Sequence, residues 1–172
     1  MDLKIMGLVD MVQNPALVPT YCIQIQAPGR GDDIFYSRVV QNQPLYAAIK
    51  RYQFGDVWPG YCPSSEVMFT SHIANAMIDD FIAGRSLCDE LRIHCTRGRN
   101  RSPAVGMAFN HIFNLGHNYL VLRDTYPEFN FYVYKTLVEA GARRGLCSQL
   151  DIDYERHIDD VASKSLFMQG AF

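Results

Sequence analysis

The feature that most constrains this chain is a strand-like apolar segment that runs through a short glycine-containing loop into a helix-like segment. Leu91–His94 predicts a strand, 95–101 a tight loop, and the apolar residues that follow recur as on one face of a helix. The whole stretch reads Ile93-His94-Cys95-Thr96-Arg97-Gly98-Arg99-Asn100-Arg101-Ser102-Pro103. The pattern predicts a loop whose backbone N–H groups converge at the start of a helix.

Such a loop has the properties that a phosphate group requires. Inward-pointing N–H groups and a helix N-terminus supply several donors in a small space. Gly98 allows the unusual backbone angles of the wrap, and Arg101 returns at the helix start, where its planar fork can hold two phosphate oxygens. The same electropositive setting favours a thiolate at Cys95, which can attack phosphorus. Ser102 is placed to hydrogen-bond that sulfur and help it leave.

This segment resembles the signature of the protein tyrosine and dual-specificity phosphatase superfamily: His-Cys, five residues, then Arg-Ser, with glycine at the third position after the cysteine. The resemblance covers 66–140, and Arg101–Ala108 is similar to small bacterial and dual-specificity members. It implies Cys95 as nucleophile, Arg101 as the phosphate-binding arginine, and neither metal nor cofactor. It also implies His94 as structural support for the loop. The substrate-binding residues would be Thr96, Arg97, Gly98, Arg99 and Asn100.

The family also uses an aspartic acid, on a mobile loop before the cysteine, as general acid. Asp56 is the candidate, because it lies in a Gly- and Pro-containing loop that precedes the helix leading to the Cys95 strand. Asp79 and Asp80 are rivals, but they fall in the middle of a predicted helix. Asp89 lies too close to the Cys95 strand.

The rest of the chain predicts short strands followed by helices. This order indicates an α/β fold with a central, mostly parallel sheet flanked by helices, as in the phosphatase family. We expect one domain over 1–172, with 150–172 as a C-terminal helical extension. The predicted strands are 3–9, 21–26 and 91–94; 34–40 is either a strand or a helix start; the predicted helices are 44–51, 67–84, one from about 102, one from about 130, and 150–167.

Composition and charge exclude several classes of protein. The chain has 48% hydrophobic and 20% charged residues and a net charge of -2, which is ordinary for a globular domain and gives no general signal for nucleic acid. Its 5 cysteines include no CxxC pair, so we expect neither a disulfide framework nor a zinc site. No apolar run is long enough to span a membrane, and no secretory leader is recognised, so we expect a cytoplasmic monomer.

The substrate stays open at this point. The first expectation is a phosphorylated protein, with phosphotyrosine alone or also phosphoserine and phosphothreonine. The loop, with Thr96, Arg97, Arg99 and Asn100, also resembles those of relatives that act on inositol phosphates or RNA 5′-triphosphates. A catalytically inactive phosphate-binding adaptor is a third interpretation. A regulatory disulfide between Cys95 and either Cys62 or Cys88 is a further hypothesis.

Overall fold

A parallel β-sheet of four strands forms the centre of the protein. The computed structural model describes residues 1–28, 44–60 and 67–148. Within them the strands lie side by side in the order β1-β4-β2-β3, and every pair is parallel. The strands are β1 (Asp2–Gly7), β2 (Thr20–Gln26), β3 (Tyr46–Gln53) and β4 (Glu90–Cys95).

The helices follow the strands and lie on both sides of the sheet. Among the described residues there are α1 (Leu8–Gln13), α2 (Ser71–Gly84), α3 (Arg101–Phe113), α4 (Tyr119–Thr125) and α5 (Phe131–Arg143). A short 3-10 helix, Arg85–Leu87, joins α2 to β4. The prediction of an α/β fold with a central parallel sheet flanked by helices is therefore confirmed. No helix in the described ranges is long and apolar enough to cross a membrane.

The two faces of the sheet differ because side chains alternate along each strand. On one face, the odd-numbered residues of β2 and β4 meet α2, α3 and α5 in the main core. Helix α3 is buried along almost its whole length, in contact with β1, β4 and α5. This central position fixes the helix start, and with it Arg101 and Ser102, against the end of β4.

The other face carries a buried polar row. The register pairs Thr20 with Glu90, Cys22 with Arg92, and Gln24 with His94, and all six residues are buried. The carboxylate of Glu90 forms ion pairs with Arg92 and with Lys4 of β1. Burial acts to raise the pKa of Glu90, but hydrogen bonds from Lys4 and Arg92 outweigh it and hold that pKa below its usual value.

Arg92 ties this face to the segment after α1. Its guanidinium donates hydrogen bonds to the backbone carbonyl oxygens of Asn14 and, at 3.1 Å, Pro15. A third bond, of 3.3 Å, runs to the Tyr46 hydroxyl of β3. A buried charge is costly unless it is paired in this way, so these contacts fix the chain between α1 and β2.

One predicted element is wrong, and two were not foreseen. Residues 44–51, predicted as a helix with an early proline, belong largely to strand β3, which pairs in parallel with β2 from Tyr46 onward. Pairing at the sheet edge here overrides local propensity. Helices α1 and α4 were not predicted, and the predicted first strand ends at Gly7 rather than Val9. Residues 34–40, 61–66 and the 150–172 extension lie outside the described residues.

Candidate active site

The Cys95 loop (residues 95–101) leaves the carboxyl end of β4 and enters α3. Gly98 has a φ of 73°, in the left-handed region that glycine tolerates. A Cβ atom added to Gly98 would lie 2.5 Å from the backbone nitrogen of Gly7 and 2.8 Å from the carbonyl carbon of Met6. The backbone N–H of Leu8 also donates to the carbonyl oxygen of Thr96 at 3.2 Å. The junction of β1 and α1 is therefore the surface on which the loop rests.

The sulfur of Cys95 lies between two hydrogen-bonding groups. The backbone N–H of Gly98 donates to Sγ at 3.2 Å, and the Ser102 hydroxyl lies 3.2 Å from the same atom. Both Cys95 and Ser102 are almost fully buried. An N–H directed at sulfur stabilises a thiolate more than a thiol, because only the thiolate carries a full negative charge.

The Ser102 hydroxyl can serve either protonation state of the sulfur. It lies 3.2 Å from the carbonyl oxygen of Met6 as well as 3.2 Å from Sγ. When Cys95 is a thiol, its S–H donates to Oγ and the hydroxyl proton goes to Met6. When Cys95 is a thiolate, the hydroxyl turns its proton to the sulfur, since a hydroxyl has one donor and two acceptor positions.

Arg101 is the buried cation of the site. It is 9% exposed, and its Nη1 donates to the backbone carbonyl oxygen of Phe54 at 2.9 Å. This contact orients the guanidinium by tying it to the Asp56 loop (residues 54–60). Phe54 is fixed in turn by its backbone bond to Gln26 and by ring packing on Phe69.

Asp56 is exposed, but its carboxylate is held. The side-chain amide of Asn130 donates to Oδ1 of Asp56 at 2.8 Å. The backbone N–H of Asn130 donates to the carbonyl oxygen of Asn100, in the Cys95 loop, at 3.1 Å. The loop that carries Asp56 is therefore joined to the Cys95 loop at two points: Phe54 to Arg101, and Asp56 through Asn130 to Asn100.

The rival carboxylates have other positions and partners. Asp79 and Asp80 lie within α2, where Asp79 pairs with Arg144. Asp80 accepts hydrogen bonds of 2.7 Å from both Lys50 and Tyr52. These two bonds outweigh burial and hold the pKa of Asp80 below its usual value, so it is engaged in joining β3 to α2. Asp89 precedes β4, at the opposite end of that strand from Cys95.

The remaining predicted binding residues line the loop. Thr96, Gly98 and Asn100 are half-buried, whereas Arg97 and Arg99 are exposed. Among the described residues no acidic side chain forms an ion pair with Arg97 or Arg99. The rim of the loop therefore carries two cations beyond the buried Arg101.

His94 lies directly before the nucleophile candidate and is fully buried on the polar face of the sheet. Burial lowers the pKa of His94 from 6.5 to about 4. At neutral pH its ring is therefore uncharged, which fits a structural role beneath the loop better than acid–base chemistry.

The hypothesis of a disulfide between Cys88 and Cys95 is wrong. Cys88 lies just before β4 and Cys95 is its last residue, so the two are roughly 20 Å apart at about 3.3 Å per residue. A disulfide needs Cα atoms within about 7 Å. Cys62 lies outside the described residues. Those residues also contain no cluster of three His, Cys, Asp or Glu side chains that could hold a metal ion.

Two supporting elements escaped the sequence interpretation. Asn130 caps α5 by accepting a bond from the Val133 N–H at 3.1 Å, and its contact with Asp56 was not foreseen. The support from Met6 and Gly7 was also missed. A glycine at the end of a strand was the one local signal for a close backbone approach.

Comparison with known proteins assigns no family to the chain. No protein-family model matches the chain, and no curated protein is similar to it in sequence. Among solved structures, the crystal structure of Tk-PTP in the active form, a protein tyrosine phosphatase, is similar to 80% of this chain and 90% of that chain. The identity is 15% and the TM-score 0.41. What the site can do therefore follows from the contacts of its own residues.

Proposed function

We propose that this chain is a phosphatase that hydrolyses phosphomonoesters through a phosphocysteine intermediate, with phosphorylated proteins as its substrates. The observation that carries the proposal is the setting of the Cys95 sulfur. Gly98 N–H and the Ser102 hydroxyl both lie 3.2 Å from it, and Arg101 is buried at the other end of the same loop. Each contact serves a requirement of the reaction.

In the first step the Cys95 thiolate attacks phosphorus, on the side opposite the ester oxygen. The S–P bond forms as the P–O bond breaks, and Asp56 gives its proton to the departing alcohol. The guanidinium of Arg101 and the backbone N–H groups of the loop stabilise the charge on the remaining phosphate oxygens. These donors neutralise the phosphate without a metal ion.

In the second step water attacks phosphorus and displaces the sulfur. Asp56, now a carboxylate, accepts a proton from that water, while Cys95 leaves as a thiolate. The Ser102 hydroxyl turns from the Met6 carbonyl to the sulfur and stabilises the leaving thiolate. Inorganic phosphate is released, and Asp56 is protonated again for the next cycle.

The proposal is tested with phosphotyrosine and phosphoserine peptides. Cys95→Ser should abolish phosphate release, and Asp56→Ala should lower kcat by about 100- to 10,000-fold, the usual contribution of a general acid. Cys88→Ser and Asp79→Ala are matched controls, because they remove the same groups elsewhere and should leave kcat unchanged. Rapid quenching of the wild type with labelled substrate should trap the phosphocysteine.

The outcomes separate the alternatives. Turnover by the wild type that is lost in Cys95→Ser contradicts the inactive adaptor. Binding of phosphopeptides without any turnover supports the adaptor and overturns the proposal. An unchanged kcat in Asp56→Ala, across the pH range, would remove Asp56 from the mechanism but leave the role of Cys95 intact.

A second candidate function is hydrolysis of polyphosphorylated substrates, and the exposed Arg97 and Arg99 favour it. Two rim cations without an acidic partner among the described residues suit a substrate that carries further phosphates beside the reacting one. Arg97→Ala and Arg99→Ala should then lower kcat/KM for an inositol polyphosphate, phosphoinositide or RNA 5′-triphosphate by about 10-fold or more each. Equal losses on a small aryl phosphate would contradict this function. The RNA enzymes of the superfamily lack the loop acid, so a working Asp56 argues against RNA.

A further inference from the structure

Asn130 forms hydrogen bonds in three directions from one buried position. It is fully buried at the start of α5. Its Oδ1 accepts from the Val133 N–H at 3.1 Å, its Nδ2 donates to the Asp56 carboxylate at 2.8 Å, and its backbone N–H donates to Asn100 at 3.1 Å. One residue thus contacts a helix end, the candidate acid and the Cys95 loop.

Helix capping alone does not require an asparagine. Serine, threonine and aspartate also accept the N–H bond of a helix start. Thr70 caps α2 in this way, and Asn118 caps α4 through its side-chain oxygen. In the part of the chain that the structure describes, the amide nitrogen of Asn118 has no hydrogen-bond partner. Asn130 differs because its amide nitrogen is used, and it is used on Asp56.

The contact has a consequence for proton transfer. The Asp56 side chain is exposed, so without a partner it would rotate among several orientations. Asn130 holds Oδ1, which leaves Oδ2 free to carry the proton. The bond from Asn130 to Asn100 sets this holding point against the residue that directly precedes Arg101. Asp56 and Arg101 are then held in position relative to each other through Asn130.

We propose that Asn130 is a positioning residue, which orients the Asp56 carboxyl group toward the leaving oxygen of a phosphate bound in the Cys95 loop. The inference rests on the proposed function, since it assigns Asn130 to the proton-transfer step of that reaction. Asn130 itself touches no reacting atom. Its effect on the first step should therefore be found in kcat/KM, which does not include the later hydrolysis of the phosphocysteine, and only where the leaving group needs a proton.

The test is Asn130→Ser, which keeps an oxygen to cap α5 but loses the amide donor to Asp56. With a phosphotyrosine peptide, whose leaving group has a pKa of about 10, kcat/KM should fall about 10- to 100-fold. With an aryl phosphate whose leaving group is strongly acidic, kcat/KM should fall less than 3-fold, because little protonation is needed in the first step. Asn118→Ser makes the same exchange at the cap of α4 and should change neither.

Asn130→Asp provides a second variant, because it keeps the size and the cap of Asn130 but faces Asp56 with a carboxylate. It should lose at least as much kcat/KM as Asn130→Ser on the phosphotyrosine peptide. Both rates are expressed per folded molecule, from circular dichroism of each variant. An equal loss of kcat/KM on both substrates would indicate a structural effect alone and would overturn the inference.

A double variant separates this inference from the proposed function. If Asn130 acts through Asp56, then Asp56→Ala with Asn130→Ser should be no slower than Asp56→Ala alone. If the two losses multiply instead, Asn130 acts on something else and the inference is wrong. An Asp56→Ala enzyme with full activity refutes the acid assignment itself. A slow Asp56→Ala enzyme together with a fully active Asn130→Ser enzyme refutes only the positioning role.

Discussion

Gly98 meets two separate constraints at once. Its positive φ disfavours any side chain, and the backbone of Met6 and Gly7 occupies the space that a Cβ atom would need. Gly145 has a similar φ of 68°, but nothing lies within 4 Å of its added Cβ atom. A side chain at Gly145 would therefore meet only the unfavourable backbone angle, whereas one at Gly98 would also clash with β1. Comparing the two positions separates these two destabilising effects.

Gly98→Ala should abolish measurable turnover, and it should lower the free energy of unfolding by about 3 kcal/mol or more. The loop cannot keep its wrap unless β1 moves away. Gly145→Ala should cost only about 1 kcal/mol and leave kcat unchanged. Urea unfolding and phosphatase assays on both variants measure this. Equal behaviour of the two would mean that the contact between the loop and β1 does not shape the site.

At the scale of elements, the two faces of β4 have different environments. Leu91 and Ile93 pack into the main core, while Glu90, Arg92 and His94 form the buried polar row. A strand buried on both faces usually reads as a continuous apolar run. Here polar side chains alternate with apolar ones. The charges of Glu90 and Arg92 are compensated because the two side chains form an ion pair.

The buried His94 makes stability depend on pH. Its folded-state pKa of about 4 lies below the ordinary 6.5, so the unfolded chain binds a proton more readily than the folded one. Its contribution is complete above pH 6.5 and is lost as the pH falls toward 4. Between pH 7 and pH 5 we expect a loss of about 2 kcal/mol in the free energy of unfolding from this group.

Urea unfolding of wild type and His94→Gln at both pH values measures the loss. Whatever its stability at pH 7, the variant should lose about 2 kcal/mol less than wild type between pH 7 and pH 5. His72→Gln is the control, since His72 is exposed on α2. The same pH dependence in wild type and His94→Gln would show that another group causes it.

At the scale of the whole molecule, the site is assembled at the carboxyl edge of the sheet. Cys95, Gly98, Arg101 and Ser102 belong to one short segment, so local pattern was sufficient to select them as candidates. Their surroundings come from distant parts of the chain: the end of β1, the loop after β3 and the start of α5.

Features that depend on contacts between distant parts of the chain could not be predicted from the sequence. Strands β1 and β2 were predicted from their β-branched and aromatic residues, but β3 was mistaken for a helix because its identity depends on pairing with β2. The cap that Asn130 provides for α5 is a local contact, with Val133 three residues on. The bond from Asn130 to Asp56 depends on how α5 docks against α3, which no short-range pattern records.

Strand β1 lies at the edge of the sheet, paired with β4 alone among the described strands, yet it supports both the Gly98 turn and the Ser102 hydroxyl. With the proposed function, phosphate release would report whether this outer strand is in place. A fusion, a tether or a binding protein that pulled β1 off its neighbour should then abolish phosphate release without touching a reactive group. Activity could thus be engineered to respond to force or to a partner that acts on edge strand β1.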